Sequence, residues 1–474
     1  MFKPYYIYRI DDCFSFGADV SARANVCLDN ESIKSFWKGF CCQAGKINIT
    51  PCEEMIFSVG EAHIPSLDGN QYAVNVEKTG LCVVGNSKKG LINGFMTLLH
   101  QIKAKCVDDK ESVFEIACGE FKEKPLLKNQ MVHFCIFPET ELWELEKFIR
   151  FSAALKYTHI VIEFWGMLKY DCLKELGWKQ AYSKEEIRPL IKMANELGLE
   201  VIPMFNHWGH ASASRVIHGK HVVLDQNPRL QPLFSDDGWI WNLENPDTLE
   251  LLRNVRAELI ELCGEGKYFH LGCDEAYNIG IKEDNYTILT DYLNGISDEL
   301  AASGRRPIVW GDMLIAKHDE FNKNNRYTVG CGNPVLENLI LSALSKNIII
   351  ADWQYNVSEA PVETALIFKD AGFDTLLCPW DSTFSNRSIL PCINTATDAD
   401  LFGVMHTTWN TLSFGMSDVS KAAYCSWSDC RTENDPPLTY FMTDSAATIR
   451  KVYPVYGDYE KAGWTKKQIS MVVK

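Results

Sequence analysis

Patterned cysteine is the first thing this sequence lacks. It holds 17 cysteines, yet Cys41-Cys42 is the only close pair and no Cys-x-x-Cys occurs. A zinc-type spacing and a dithiol redox motif are therefore both missing. An odd, unpatterned set suits a reducing compartment, where Cys serves as a small apolar side chain. No apolar run reaches the roughly 18 residues needed to span a bilayer. The opening Met1-Phe2-Lys3-Pro4-Tyr5 leads into polar sequence with Asp11-Asp12 rather than the apolar core of a secretory signal. A soluble, cytoplasmic protein is expected. Positive charge is also short: the formal net charge of −15 argues against nucleic acid or an anionic membrane as the main partner.

What is present is ordinary in bulk and unusual in one respect. The 474 residues exceed one small domain and suggest a large domain of barrel size with a smaller companion. Thirteen tryptophans are many for this length. Trp offers a broad apolar face with one polar handle, which suits sites that must cover a flat ligand.

Residues 1–125 read as a small α+β supporting domain. Tyr72–Val76 and Leu81–Gly85 look like two strands joined at Lys78-Thr79-Gly80, a helix is expected from Ser87 to about Lys105, and one more strand over Val113–Phe121. Lys122–Pro125 serves as a linker. From residue 126 to 415 the pattern becomes a regular alternation. Strands are expected at Met131–Phe137, Thr158–Phe164, Glu200–Phe205, Lys267–Gly272, Pro307–Asp312, Asn347–Asp352, Asp374–Pro379 and Phe402–Thr408. Helices intervene, one opened by a capping box at Ser183-Lys-Glu-Glu186 and one by Asn245-Pro246. Eight such units over about 300 residues fit a (β/α)8 TIM barrel. A doubly wound sheet would want a Gly-rich nucleotide turn after an early strand, and none occurs. Residues 416–474 form a C-terminal extension with a helix expected near 439–453.

In a barrel of this kind the strand C-termini face the active-site mouth. Those ends read Glu163-Phe-Trp165, Asn206-His-Trp-Gly-His210, Asp274-Glu275, Trp310-Gly-Asp312, Asp352-Trp-Gln-Tyr355, Trp380-Asp381 and Thr408-Trp409. Carboxylates inside an aromatic enclosure are what a sugar site needs, because pyranose C–H faces pack on indoles while hydroxyls need polar partners. Glycosidic cleavage further needs an acid for the leaving oxygen and stabilisation of an oxocarbenium-like centre. Retaining enzymes usually place two carboxylates about 5 Å apart across the sugar. Asp274 and Glu275 are neighbours on one segment and cannot easily straddle a ring. Such adjacency suits a substrate that carries its own nucleophile.

The run His270-Leu-Gly-Cys-Asp-Glu275 resembles the His-x-Gly-x-Asp-Glu signature of the family 20 glycoside hydrolases, the β-N-acetylhexosaminidases. Its continuation through Ala276–Gly280, with Glu163–Tyr170, is nearer the hexosaminidase D branch. The likeness extends over about residues 60–415. It implies a retaining exo-acting enzyme on terminal β-linked GlcNAc or GalNAc, working without a metal or other cofactor. Glu275 would be the general acid and then the base. Asp274 would hold the 2-acetamido group and face the cationic intermediate. The resemblance makes Trp310, Trp353 and Trp409 walls of the acetamide pocket and the sugar ring, and it places His210 beside the acid. Tyr355 is implied as a hydrogen-bond partner of the acetamide oxygen, and Trp380 with Asp381 as hydroxyl contacts. Two departures stand out. Many members carry an Arg at the end of the first strand, where this chain has Ile136-Phe137-Pro138-Glu139. Many also carry Glu two residues after the last barrel Trp, where this chain has Thr411. Glu163 is the candidate to take over part of the hydroxyl recognition.

Other readings stay open at this level. One is a barrel glycosidase with a separate nucleophile such as Glu163 or Asp312. Others are a metal-dependent hydrolase using His207, His210, His270 and Asp274, and a sugar-binding protein without turnover. The expected partner is a small glycan, and a homodimer is open through residues 416–474.

Overall fold

A computed structural model of the chain describes residues 69–435 apart from short gaps, the longest at 212–222, together with the strands at 13–16 and 57–59 and scattered positions up to 449. Among the described residues, seven strands precede the barrel. β1 (Cys13–Phe16), β6 (Ser112–Ala117) and β5 (Lys103–Cys106) form an antiparallel sheet in that order. β2 (Phe57–Val59), β4 (Gly80–Gly85), β3 (Tyr72–Glu77) and β7 (Gly119–Glu123) form a second sheet. The helix Lys88–Gln101 buries Leu91, Phe95, Leu98 and Leu99.

Three expectations in this region need correction. The helix stops at Gln101 instead of running to Lys105, because Lys103-Ala-Lys-Cys106 alternates polar and small residues with a period of two and pairs with β6. The single strand over Val113–Phe121 is two strands in different sheets, the second beginning at Gly119, whose φ of 151° is open to glycine. Lys122 and Glu123 belong to β7, so the link to the barrel runs over residues 124–128 instead of the expected Lys122–Pro125.

The barrel closes from eight parallel strands: β8 (Asn129–Cys135), β9 (His159–Glu163), β10 (Glu200–Met204), β11 (Tyr268–His270), β12 (Arg306–Trp310), β13 (Ile349–Asp352), β14 (Asp374–Leu377) and β15 (Gly403–His406). Each falls within its expected segment to within two residues at the start. β15 pairs back onto β8 through Gly403–Asn129 to His406–Val132. Alternate residues divide between two cores. Met131, Val161, Ile202, Met204, Ile308, Ile349, Leu376 and Met405 fill the interior. Val132, Phe134, Ile160, Val201, Val309, Ile350 and Leu377 face the helices. Burial on both faces explains why these strands read as nearly continuous apolar runs.

The helices carry the expected caps. Ser183 and Glu186 form a reciprocal capping box, and Asn245 caps Pro246–Cys263 through Asp247 N–H. Leu412–Trp427 packs on β8 and on the helices Leu142–Ala154 and Ile389–Asp398, and so runs across the boundary expected at 415. The helix expected near 439–453 lies largely outside the described residues. No helix among the described residues is long and apolar enough to cross a membrane.

One buried cation ties the small domain to the barrel. Lys156, in the turn before β9, is fully buried, pairs with Glu123 of β7, and lies 4.9 Å from the Tyr72 ring and 4.5 Å from the Trp427 ring. Burial lowers its pKa while the Glu123 charge opposes that fall. A buried ammonium without such partners would be strongly unfavourable, which makes this contact specific to one docking geometry.

Candidate active site

The site is organised by the chain beyond β11. Bonds from Leu271 N–H to Ile308 O (2.8 Å) and from Trp310 N–H to Gly272 O (2.9 Å) keep it in register with β12. Gly272, Cys273 and Glu275 then take positive φ values of 67°, 76° and 51°. Six non-glycine residues have positive φ among those described, and four of them meet here: Trp165, His210, Cys273 and Glu275. Such strain persists only where surrounding contacts over-determine it, and it concentrates at working sites.

Two glycines make the crowding tolerable. A Cβ on Gly272 would lie 1.7 Å from Asn206 Oδ1, and one on Gly209 would lie 1.9 Å from the Asp274 carbonyl oxygen. The loop after β10 therefore presses directly on the Asp274-Glu275 segment. Gly272→Ala combines a clash with a disfavoured φ. Its expected cost is above about 2 kcal/mol of unfolding free energy, measured by denaturant titration.

That pressure brings His210 over both carboxylates. Its Nε2 lies 3.3 Å from Asp274 Oδ2 and 3.2 Å from Glu275 Oε2. The imidazole is packed by Trp239 (centroids 4.4 Å) and Trp165 (5.9 Å). Glu275 is held from three further directions. Its N–H donates to Asp312 Oδ2 (2.9 Å), its carbonyl accepts from Trp239 Nε1 (2.8 Å), and its Oε1 accepts from Tyr277 O–H (2.8 Å). Asp274 is buried, and its Oδ1 has no hydrogen-bond partner among the described residues. A buried carboxylate oxygen left in that state is costly unless a ligand donor completes it.

The aromatic residues at the strand ends pack against one another, and Trp353 connects them to Glu275 through Asp312. Trp310 forms the floor, 1% exposed, with its ring 4.4 Å from His270 and 6.0 Å from Trp409. Trp353 and Trp409 are only partly buried. Trp353 donates its indole N–H to Asp312 Oδ1 (3.1 Å) and lies 5.0 Å from the Tyr355 ring. The Tyr355 hydroxyl accepts from Trp409 Nε1 and from Thr407 Oγ1. Trp380 stands edge-on to Tyr355 at 5.4 Å.

Glu163 and Asp381 are more committed than expected. Glu163 Oε1 accepts from Asn206 Nδ2 (3.0 Å) and Oε2 lies 3.1 Å from His133 Nε2. It lines a small recess with Trp165, Phe205, Asn206, His210 and Ala211. Asp381 accepts from Ile389 N–H (3.1 Å) and from Lys421 Nζ (2.9 Å), so both its oxygens are engaged inside the protein. Burial raises its pKa against the opposing Lys421 charge. Asp312 is 1% exposed, and burial, followed by the Asp274 charge, pushes its pKa up to about 7.

The remaining candidates point elsewhere. His207 sets Nδ1 2.6 Å from Phe205 O, and burial holds its pKa well below the usual imidazole range. His270 Nδ1 accepts from Gly272 N–H (3.0 Å). Neither converges with His210 on a common point. Asp352 lies on the outer side of β13 and accepts from Thr364 and Gln354.

Sequence reasoning missed His133, Asn206, Trp165 and Tyr277 as parts of the site. For His133 a signal existed. It alternates with Met131 and Cys135, which face the barrel interior, so a polar residue there had to point into the mouth.

Comparison with known proteins bears on this geometry. Residues 165–386 match the model for the catalytic domain of glycosyl hydrolase family 20. A lacto-N-biosidase of Bifidobacterium bifidum is 22% identical over 275 residues, which is 53% of this chain and 23% of that protein. Hexosaminidase D of Bos taurus is 28% identical over 179 residues, covering 34% of this chain and 48% of the relative. The chain thus spans half or less of these curated relatives. Among solved structures, the GH20 exo-β-N-acetylglucosaminidase of Vibrio harveyi superposes with a TM-score of 0.70 at 15% identity, over 95% of this chain and 76% of the other. The β-N-acetylhexosaminidase of Bacteroides fragilis does so with 0.68 at 16%, over 98% and 96%. These structural likenesses establish a shared fold.

Proposed function

We propose, from the match of residues 165–386 to the catalytic domain of glycosyl hydrolase family 20, that the chain is a retaining exo-β-N-acetylhexosaminidase acting on terminal β-linked GlcNAc or GalNAc. One observation carries the reading. Adjacent carboxylates share His210 Nε2, and the buried Oδ1 of Asp274 can take a donor from a ligand beside an indole floor.

The 2-acetamido N–H of the bound sugar is that donor. With the N–H held by ionised Asp274, the acetamide carbonyl oxygen attacks C1 from within the substrate. The C1–O bond to the leaving group breaks as Glu275 gives its proton to the departing oxygen. The resulting oxazolinium cation lies against the Asp274 carboxylate, which stabilises the charge as it develops. Glu275, now a carboxylate, takes a proton from water as that water adds to C1. The ring opens, the acetamide is restored, and configuration is retained. Trp310 floors the acetamide pocket, Trp353 and Trp409 wall it, and the Tyr355 hydroxyl orients the acetamide oxygen. Glu163 and Trp380 serve hydroxyl recognition, with Glu163 the better placed because it lines the recess beside His210, while Asp381, its oxygens engaged by Ile389 N–H and Lys421, fixes the strand end that carries Trp380.

A separate carboxylate nucleophile is disfavoured by the same geometry. Asp312 is buried with an N–H on each oxygen, and Glu163 is held by His133 and Asn206. Nine cysteines of the barrel region, from Cys135 to Cys430, are free thiols, which supports the cytoplasmic reading.

The test is a panel of p-nitrophenyl β-glycosides. Turnover is expected with GlcNAc, GalNAc or both, and at least about a hundredfold less with glucose, which lacks the internal nucleophile. Absence of turnover on every N-acetylhexosaminide would leave a sugar-binding protein as the better reading.

A further inference from the structure

Asp312 is a buried carboxylate beside the proposed chemistry that takes no part in its steps. It sits two residues past β12, and its two oxygens face different elements. Oδ2 accepts the N–H of Glu275, and Oδ1 accepts the indole N–H of Trp353 after β13. The first bond holds a residue at φ 51°, a conformation a glutamate does not adopt without outside support. The second sets the plane of an indole that has no other hydrogen-bonding handle. Neighbouring strand ends are thereby joined through one buried carboxylate, which sits beside Asp274 at a cost in like-charge repulsion. A packing residue of similar size would avoid that cost.

We propose that Asp312 is a positioning residue that fixes the Glu275 carboxyl for proton delivery by accepting from the Glu275 backbone and from Trp353 at once. The inference rests on the reading of Glu275 as the general acid. Asparagine at 312 can present its carbonyl to only one of the two N–H donors, and its amide N–H then opposes the other. Either the left-handed turn at Glu275 or the indole plane loosens. Proton transfer is steeply sensitive to such misplacement, where a shift of about 1 Å can cost a hundredfold.

The experiment compares kcat/KM of wild type and Asp312→Asn on two N-acetylglucosaminides, one with an alkyl leaving group and one with 2,4-dinitrophenolate. The alkyl leaving group needs the acid, whereas dinitrophenolate departs without a proton. The variant is expected to lose about a hundredfold on the alkyl glycoside and under about fivefold on the dinitrophenyl one, mostly in kcat. Equal losses on both substrates would overturn the proposal, since a general structural defect or lost cation stabilisation penalises both. No loss on either would overturn it too. If Asp312→Asn fails to fold, Trp353→Phe, which removes one of the two donors, takes its place. The same leaving-group dependence at smaller amplitude supports the proposal, and equal losses refute it. Wild-type turnover of the dinitrophenyl substrate is the control that separates this test from failure of the functional reading itself.

Discussion

Glu275→Gln is expected to lower kcat/KM on an unactivated N-acetylhexosaminide by about a thousandfold, within the range for loss of a positioned general acid. Glutamine keeps the size of the side chain and leaves an oxygen to accept from Tyr277 O–H, as Oε1 does now. What it lacks is the proton. The loss should therefore depend on the leaving group and fall to a few-fold with 2,4-dinitrophenolate, which departs unaided. Steady-state kinetics on the two substrates measure this directly. A penalty independent of leaving group would mean that Glu275 does not donate the proton.

Asp274→Asn is expected to behave differently. The asparagine oxygen can still accept the acetamide N–H, but the negative charge facing the oxazolinium is gone. Removing one preorganised electrostatic partner costs about a hundred- to a thousandfold, and here the loss should be the same for good and poor leaving groups. Stability should move the other way. Asp274 is buried with an unpartnered oxygen beside the Asp312 carboxyl, so the neutral variant should unfold at the same or a higher temperature than wild type. Function at the expense of stability is the expected trade at a preorganised site. A thermal melt alongside the kinetics distinguishes this from a misfolded variant.

The parts of this picture that the sequence carried are those set by repetition and burial. Eight strands buried on both faces leave continuous apolar runs, and the caps at Ser183 and Asn245 are local chemistry with few alternatives. Strand ends follow from the strands, so the clustering of Asp274, Glu275, Trp310, Trp353 and Trp409 was visible from the barrel alone. What stayed hidden depends on where a side chain turns. Asp381 sits at a strand end like the others, yet the helix Ile389–Asp398 and Lys421 claim both its oxygens. Glu163 gained His133 from β8 and Asn206 from the loop after β10, partners 30 and 43 positions away that no local pattern encodes. The small domain was harder still. A short strand such as Lys103–Cys106 offers only Ala104 and Cys106 as an apolar pattern, and it directly follows a helical run of apolar residues with the same apparent continuation.

The central claim is that the substrate's own acetamide is the nucleophile, because the protein offers two adjacent carboxylates and not two that oppose each other. The most direct test varies that nucleophile. A series of p-nitrophenyl glucosaminides bearing N-acetyl, N-fluoroacetyl, N-difluoroacetyl and N-trifluoroacetyl groups weakens the carbonyl oxygen stepwise with little change in shape. If the acetamide attacks C1, kcat/KM falls steadily along the series, by orders of magnitude at its end. If kcat/KM is flat across the series, the nucleophile comes from the protein or from water, and substrate assistance is contradicted.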